Sequence, residues 1–81
     1  MAKVLMHVSA FYDGETTPAG EVLVCDADFA RRVVLFGHGE LLDGGAALGF
    51  EAACERLRAT PDDIAQAAPI RAQALHERGE G

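Results

Sequence analysis

The chain has 81 residues and a mass of 8.6 kDa, which suits one small domain and is too little for two. Apolar residues make up 49% of it, but there is no Trp, one Tyr and only four Phe, and much of the apolar share is alanine, so the core must be thin. Seven basic and thirteen acidic residues give a net charge of -6, which opposes binding to a phosphate backbone.

The first predicted elements are two β-strands joined by a polar connection. Residues 3–11 are rich in Val, Leu, Met and Phe and lack a helix cap, which predicts a strand that could be covered on both faces. A turn is predicted over residues 12–14 (Tyr-Asp-Gly). A second one is predicted over residues 17–20 (Thr-Pro-Ala-Gly), and this second sequence fits a type I turn. Residues 21–25 are again apolar and β-branched, and we expect them to pair with the first strand as an antiparallel hairpin with a loop of about nine residues.

A short amphipathic helix is predicted over residues 27–36. Asp26 or Asp28 can accept hydrogen bonds from the free N–H groups at its start, and Gly37 supplies its C-terminal stop. Its apolar face, which we expect to pack on the hairpin, is formed by residues at the spacing i, i+4, i+7: Phe29, Val33 and Phe36.

The chain divides at a glycine pair. Residues 40–42 predict a brief third strand, which closes a β-β-α-β unit just before Gly44 and Gly45, the best candidate hinge. Beyond the hinge the apolar period becomes helical, and a helix is predicted over residues 46–59 from four side chains at i, i+3, i+4, i+7: Phe50, Ala53, Cys54 and Leu57.

A third helix is predicted to begin at Pro61. Thr60 is a good cap, and proline is favoured at the first helical position. Pro69 lacks a backbone donor and disfavours a helical conformation at the residue before it, so we expect the helix to break or kink there before a last helix over residues 70–77. The final residues, 79–81, should fray.

The predicted fold class is α+β. Residues 1–45 are expected to form a small β-hairpin or β-roll with a packed helix, in the order β-β-α-β, and residues 46–81 an alanine-rich helical C-terminal segment. This second part contains ten alanines but only six larger apolar side chains, so it cannot bury enough area to fold alone. It must pack on the β unit, on a copy of itself or on a partner.

Four side chains of this helical docking segment are predicted to anchor a protein partner: Phe50, Leu57, Ile64 and Leu75. The core of the β module is expected to use the other phenylalanines: Phe11, Phe29 and Phe36. An alternative stays open at this point, in which Phe50 and Leu57 close one intramolecular core instead.

No cluster of residues is typical of catalysis or of cofactor binding. The three histidines lie 31 and 38 residues apart, and none has the close His, Cys or acidic neighbours of a zinc site. Cys25 and Cys54 are too few for a disulfide scaffold and are expected to be reduced, buried thiols. Ser9 lies within the first strand, and the glycines match no phosphate-binding motif. We therefore predict no enzyme activity, no cofactor and no metal site.

Membrane insertion and DNA binding are both disfavoured. The N-terminal apolar run is short and interrupted by His7, so we expect no signal peptide and no membrane span, with folding in a reducing cytosol. Residues 60–68 could be the first helix of a helix-turn-helix, with residues 70–77 as its recognition helix. Because Pro69 joins them with no glycine turn and the chain is acidic, a DNA-binding regulator is only the third interpretation.

One pattern in the first half of the chain resembles small tailed-phage virion proteins of the capsid and neck region. In words, it is an aromatic residue with a following glycine, a Pro-x-Gly-Glu turn into a strand, an acidic helix cap, an alanine and a Gly-x-x-Glu ending. In this sequence it comprises Tyr12-Asp13-Gly14, Pro18-Ala19-Gly20-Glu21-Val22, Asp26 or Asp28, Ala30, Gly37 and Gly39-Glu40. The resemblance covers residues 3–42 and implies a β-hairpin-plus-helix module in a virion-associated protein.

The function implied by this resemblance is that of a non-enzymatic phage virion structural protein, a capsid-associated or head-tail junction component. Its partners would be repeated protein subunits of the major capsid or the neck, or a second copy of the chain, bound through the hairpin edge and the C-terminal helices, with no nucleic acid and no membrane. It would act in the virion, and in the host cytoplasm during assembly. The second interpretation is a small cytosolic adaptor or regulatory module that binds one partner protein.

Overall fold

In the computed structural model, which describes residues 1–79, the first strand lies inside a four-stranded sheet and the helices cover one face of it. This arrangement confirms the predicted α+β class with a helical C-terminal part. Residues 1–79 contain nine elements in this order: β1 (Ala2–Met6), β2 (Ala10–Tyr12), β3 (Glu15–Thr17), β4 (Val22–Cys25), α1 (Ala27–Leu35), β5 (Gly39–Asp43), β6 (Ala46–Ala47), α2 (Phe50–Arg56) and α3 (Pro61–Glu77).

The sheet has the order β4-β1-β5-β6, and every neighbouring pair is antiparallel. The predicted pairing of residues 21–25 with the first strand is confirmed, with Val4 opposite Leu23. The predicted third strand is also present as β5, on the other side of β1, where Val4 faces Leu41. The apolar β1 is therefore a central strand, and β4 is an edge.

The sequence predicts a loose loop between β1 and β4, but the chain forms a second hairpin there. The predicted strand over residues 3–11 is wrong in its extent, because β1 ends at Met6 and β2 pairs with β3 instead of continuing β1. The turn between β2 and β3 has Asp13 and Gly14 at φ of 52° and 80°, the backbone of a type I′ hairpin turn. These turn residues, rather than the polar residues of β3, are the signal for the hairpin.

The turn that leads into β4 is shifted by one residue from the predicted one. The Glu21 N–H donates to the Pro18 carbonyl at 3.2 Å, so the turn spans residues 18–21 rather than 17–20. Gly20 occupies its third position with φ of 90°, which a type II turn requires and a type I turn does not. The Gly20 N–H also donates to the Met6 carbonyl at 2.7 Å, which ties the turn to the end of β1.

One face of the sheet forms the core with α1. The buried side chains that meet there are Val4, Met6, Leu23, Cys25 and Leu41 from the sheet and Ala30, Val33 and Val34 from the helix. Gly39 lies where α1 and β1 approach β5 most closely. A Cβ at this position would lie 2.8 Å from the Leu5 carbonyl oxygen and from methyl groups of two core valines, so glycine is required by space.

The segment after β5 differs from the predicted long helix. The sequence predicts a hinge at Gly44 and Gly45 and a helix over residues 46–59, and both predictions are wrong. The glycines have φ of 61° and 86° and form a tight turn into β6, and α2 is limited to Phe50–Arg56. The two alanines of β6 favour a helix by propensity, but the turn returns them antiparallel to β5, where their backbone groups pair.

The start of α3 confirms the prediction for Pro61 and its cap. The Asp63 N–H donates to the Thr60 hydroxyl at 3.1 Å, and the Thr60 N–H donates to the Asp63 carboxylate at 3.0 Å. The two hydrogen bonds form a capping box, so two of the N–H groups at this helix start have partners within the chain.

The predicted break at Pro69 is wrong, because α3 runs without interruption to Glu77. Ala67 and Ala74, which lie before and after Pro69, are both buried. Their packing on α1 and on the turn that follows it holds the helix together despite the missing backbone donor. Of residues 79–81, predicted to fray, Gly79 donates to the His76 carbonyl at 3.0 Å, and the other two lie outside the described residues.

The helical part and the β unit share one core. Three buried side chains of the α2 region, Ala53, Cys54 and Leu57, belong to the same cluster as Val4 of β1. Helix α1 contacts both α2 and α3. The predicted boundary at residue 45 therefore falls inside the β5-β6 hairpin. No helix within residues 1–79 has the length and apolar composition that crossing a bilayer requires.

Two helix caps predict how stability depends on pH. The Phe29 N–H donates to Asp26 at 2.7 Å and lowers the pKa of that carboxyl below its ordinary 3.8, and the bond from the Thr60 backbone lowers the pKa of Asp63 in the same way. Because both pKa values are lower in the folded chain, this stabilisation is present above about pH 4 and is lost as the pH falls through the folded values. We expect the free energy of unfolding to decline below about pH 4.

The matched variants are the double changes Asp26→Asn with Asp63→Asn, and Glu51→Gln with Glu55→Gln on the exposed side of α2. Asparagine keeps the capping acceptor but does not titrate. Urea unfolding at several pH values between 2 and 7 should show a flatter acid decline for the first pair and an unchanged decline for the second. An equal decline in all three proteins would contradict the assignment to the caps.

Candidate functional site

The four residues predicted to anchor a partner lie toward the inner sides of α2 and α3 and do not form one open surface. Leu57 is 6% exposed and belongs to the core. Phe50 and Ile64 are half-buried and pack against that core. Leu75 is half-buried and lies near Phe50 at a small cleft between β5, α2 and α3. The fold therefore brings Phe50 and Leu75 together. It places Leu57 in the intramolecular core, as in the alternative to partner binding.

Two arginines line this cleft and fasten α3 to the rest of the chain: Arg71 within the helix and Arg78 directly after it. The Arg71 guanidinium lies over the Phe50 ring, 3.8 Å from its centroid, in a cation–π contact. Arg78 donates a hydrogen bond to the Gly37 carbonyl at the end of α1. Both guanidinium groups contact the chain itself, so the cleft is best explained as part of the packing of α3.

Residues 60–77 do not form a helix-turn-helix. They are one continuous helix, and two polar side chains that residues 70–77 would offer to bases, Arg71 and Gln73, have contacts of their own. Arg71 stacks on Phe50, and Gln73 donates to Glu77 at 3.0 Å. The motif on which the DNA-binding interpretation depended is therefore absent from these residues.

Phe29 and Phe36 pack against the core as predicted, but Phe11 does not. Its side chain is 69% exposed, because alternation along β2 turns its neighbours toward the core and Phe11 away from it. The Tyr12 ring contacts Phe29, with centroids 4.8 Å apart, and the Tyr12 hydroxyl donates to Asp26 at 3.2 Å. The β2-β3 hairpin is thus fastened to α1 and presents Phe11 to solvent.

The thiols and imidazoles form no reactive cluster in the described chain. Burial raises the pKa of Cys25 and of Cys54 above the ordinary 9.0, so both free thiols stay protonated at neutral pH. His7 lies 3.4 Å from the Glu40 carboxylate. Within residues 1–79, no three His, Cys, Asp or Glu side chains are close enough together to hold a metal ion.

The sheet face opposite the helices carries the exposed apolar side chains of β4. Val22 and Val24 are each 48% exposed, while Leu23 and Cys25 between and after them are buried. Across the sheet, Val22 faces the half-buried Leu5 of β1. This outer face therefore combines apolar surface with an open strand edge.

The edge of β4 has unpaired backbone groups. Met6 and Glu21 form a hydrogen-bonded position between β1 and the start of β4, with the Met6 N–H donating to the Glu21 carbonyl at 3.0 Å. Because such positions alternate along antiparallel strands, the N–H and C=O groups of Val22 and Val24 point away from β1. Within the described residues, β4 pairs with no strand on that side.

A shallow groove runs between this edge and the β2-β3 hairpin, and we call it the edge groove. Its lining residues are Met1, Tyr12, Asp13, Glu15, Thr17, Val22, Leu23 and Val24. Two of them, Asp13 and Glu15, are exposed carboxylates, and Glu21 and Asp26 flank β4 at its two ends. The edge groove is therefore apolar along the strand and acidic along the hairpin.

The chain matches no protein-family model, no curated protein and no solved structure. The resemblance of residues 3–42 to phage virion proteins therefore depends on the sequence pattern alone. On the described surface, the β4 edge is one feature with unpaired backbone groups.

The sequence predicts binding through an edge of the hairpin but does not indicate that residues 22–25 form an exposed strand, because they contain no polar residue at alternate positions. An uninterrupted apolar strand is typical of one that is covered on both faces, and that is how the first strand was interpreted. The sequence does contain a signal for an exposed strand, since acidic residues stand at its two ends, Glu21 and Asp26. Charged residues are common at exposed sheet edges. For the exposure of Phe11 the sequence offers a weaker signal, which is that successive side chains of a strand point to opposite faces.

Proposed function

We propose that this chain is a non-enzymatic protein-binding module that serves as a phage virion structural protein, capsid-associated or at the head-tail junction. The observation that supports protein binding is the β4 edge, where unpaired backbone groups lie beside the exposed Val22 and Val24. An open apolar edge is a ready template for a strand from another chain. The virion setting is supported by the sequence pattern in residues 3–42.

The small core fits this function physically. Within the described residues, thirteen form the central buried cluster, and three of them are alanines, which contribute little buried area. A partner that binds only the folded chain stabilises it by mass action, so a module of this size is well suited to a permanent assembly. The predicted helix anchors would then act chiefly within the chain, leaving the hairpin side for the partner.

The experiment is mass spectrometry of particles purified from the phage that encodes the chain. We expect the chain in intact particles at a fixed ratio to the major capsid or neck subunits, resistant to high salt. A chain that is present in the lysate but absent from purified particles would contradict the virion function. Crosslinking in the particle should join the β2-β3 hairpin or β4 to a structural subunit.

A small cytosolic adaptor is the second candidate, and the shape of the sheet favours it. The opposite edge strand, β6, has two residues, so β4 is the longer of the two sheet edges. One usable edge is enough for a single partner and does not require repeated subunits. For this function the chain would remain in the soluble fraction, in a one-to-one complex, and would be missing from particles.

A further inference from the structure

We propose that the β4 edge binds an extended, positively charged segment of another protein, which adds as a strand and alternates apolar with basic side chains. This rests on the proposed protein-binding function and specifies the chemistry of the partner. The backbone supplies the first argument: Val22 and Val24 each direct an N–H and a C=O outward at the two-residue repeat of a strand. Strand addition would give these groups partners in an added ladder.

The side chains beside the edge determine the alternation. On the outer face, an added strand would lie next to Val22 and Val24, each 48% exposed. On its other face it would meet the β2-β3 hairpin, which packs on the core side through Tyr12 and presents Asp13 and Glu15 to the edge groove. Every second side chain of the bound segment would thus be apolar and the intervening ones basic.

Charge decides between a partner and a second copy. Two β4 strands could pair antiparallel with Val22 opposite Val24 of the other copy, since both direct their backbone groups outward. That pairing would bring Glu21 of one copy close to Asp26 of the other at both ends, between two chains of net charge -6 each. Like charges placed together oppose association, so the acidic edge selects a basic segment rather than itself.

The positive groups around the edge do not cancel this preference. Lys3 lies opposite Val24 on the outer face, and Arg32 of α1 lies 5.7 Å from the Phe29 ring centroid and acts on the Asp26 carboxylate. Neither residue lines the edge groove. Met1 does line it, and its amino group acts on Cys25 at one end of β4, but two carboxylates, Asp13 and Glu15, line the groove against this one positive group. The field along the hairpin side therefore remains negative.

Binding is tested with three synthetic peptides of eight residues and the full chain. The first peptide alternates Val and Lys, the second alternates Val and Glu, and the third contains four Val followed by four Lys. Calorimetry at low and physiological salt should show at least tenfold tighter binding of the first peptide than of either other peptide, weakening as salt rises. Equal binding of the first and third peptides would overturn the proposal, because it would reflect charge alone.

Two variants locate the binding. Val24→Pro removes an outward N–H that makes no bond to β1. It should weaken binding of the peptide that alternates Val and Lys by at least tenfold, while circular dichroism shows a folded chain. Asp13→Asn with Glu15→Gln leaves β4 unchanged. It should weaken binding of the same peptide severalfold and make that binding less dependent on salt. The matched control, Glu51→Gln with Glu55→Gln on α2, removes the same charge and should bind as the native chain does.

The outcomes separate this proposal from the proposed function. If the control pair weakens binding as much as the hairpin pair, the peptide does not lie in the edge groove and the proposal is overturned. A dimer in analytical ultracentrifugation that Val24→Pro dissociates would identify a second copy as the occupant and also overturn it. Absence of the chain from particles, with peptide binding intact, would contradict only the virion function.

Discussion

Replacing Leu57 with alanine should lower the free energy of unfolding of the isolated chain by about 2–5 kcal/mol. Leu57 is 6% exposed and packs in the cluster that also contains Val4 and Leu41. The loss combines the removed apolar area with the cavity that remains, since the backbone at this position is held by the Arg31 side chain, which donates to the Leu57 carbonyl at 3.1 Å. Urea unfolding followed by circular dichroism measures the change.

The control for this prediction is Ile70→Ala in α3. Ile70 is 47% exposed, so its truncation should cost less than about 1 kcal/mol. If Leu57→Ala cost as little as Ile70→Ala, Leu57 would not share the core, and a docking role in another protein would regain support. A large cost for Leu57 alone assigns this residue to the intramolecular core and leaves the partner surface elsewhere.

Replacing Pro69 with alanine should raise the free energy of unfolding by up to about 3 kcal/mol, the difference between the two residues inside a helix. Pro69 is exposed and lies well inside α3, where an alanine N–H could donate to the carbonyl four residues earlier. The buried alanines on either side already hold the helix in register, so the substitution needs no rearrangement. Urea unfolding and the melting temperature should both increase.

Pro61→Ala is the matched control, because it makes the same change in the same helix. Pro61 is the first residue of α3, where its missing N–H would have no partner within the helix and its fixed φ is favourable. We expect no gain and a slight loss of stability. A gain at Pro61 equal to that at Pro69 would show that the effect comes from the unfolded chain and not from the interior of the helix.

Stability and binding are separable in this molecule, which makes the functional proposals testable. The core lies between the inner face of the sheet and the helices, whereas Val22, Val24 and Phe11 point away from it. Changes at these exposed positions should alter partner binding with little effect on unfolding. Changes at Leu57 should do the opposite in a chain that stays folded, because the β4 edge is on another part of the surface.

Local signals were the part of the fold that could be predicted. Asp26, Thr60 and Pro61 act within one turn of their own helix, so their roles follow from neighbours in the sequence, and α1 and α3 begin where those residues place them. The pairing of β4 with β1 was also predictable, because both strands are apolar and the turn signals lie between them. None of these features depends on which other helix or strand packs on the element.

Two helix predictions were wrong because another turn or another contact outweighed the pattern on which they depended. Residues 46–59 have a helical pattern, yet the turn at Gly44 and Gly45 returns the chain into β6 before α2 begins. Pro69 predicts a break, yet the buried alanines beside it keep α3 continuous. At Pro69 the deciding contacts come from α1 and the turn after it, far away in the sequence, whereas β6 pairs with β5 only three to five residues earlier.

The sequence by itself determined the α+β class, the starts of α1 and α3 and the acidic surface, because propensity, capping and charge are properties of residues and their immediate neighbours. Only the tertiary structure decided which apolar residues are inside. Leu57, Val24 and Phe11 are equally apolar, and the sheet and helices bury the first and leave the other two exposed. Burial depends on the arrangement of distant elements, so only the tertiary structure shows that β4 is an uncovered edge with exposed valines.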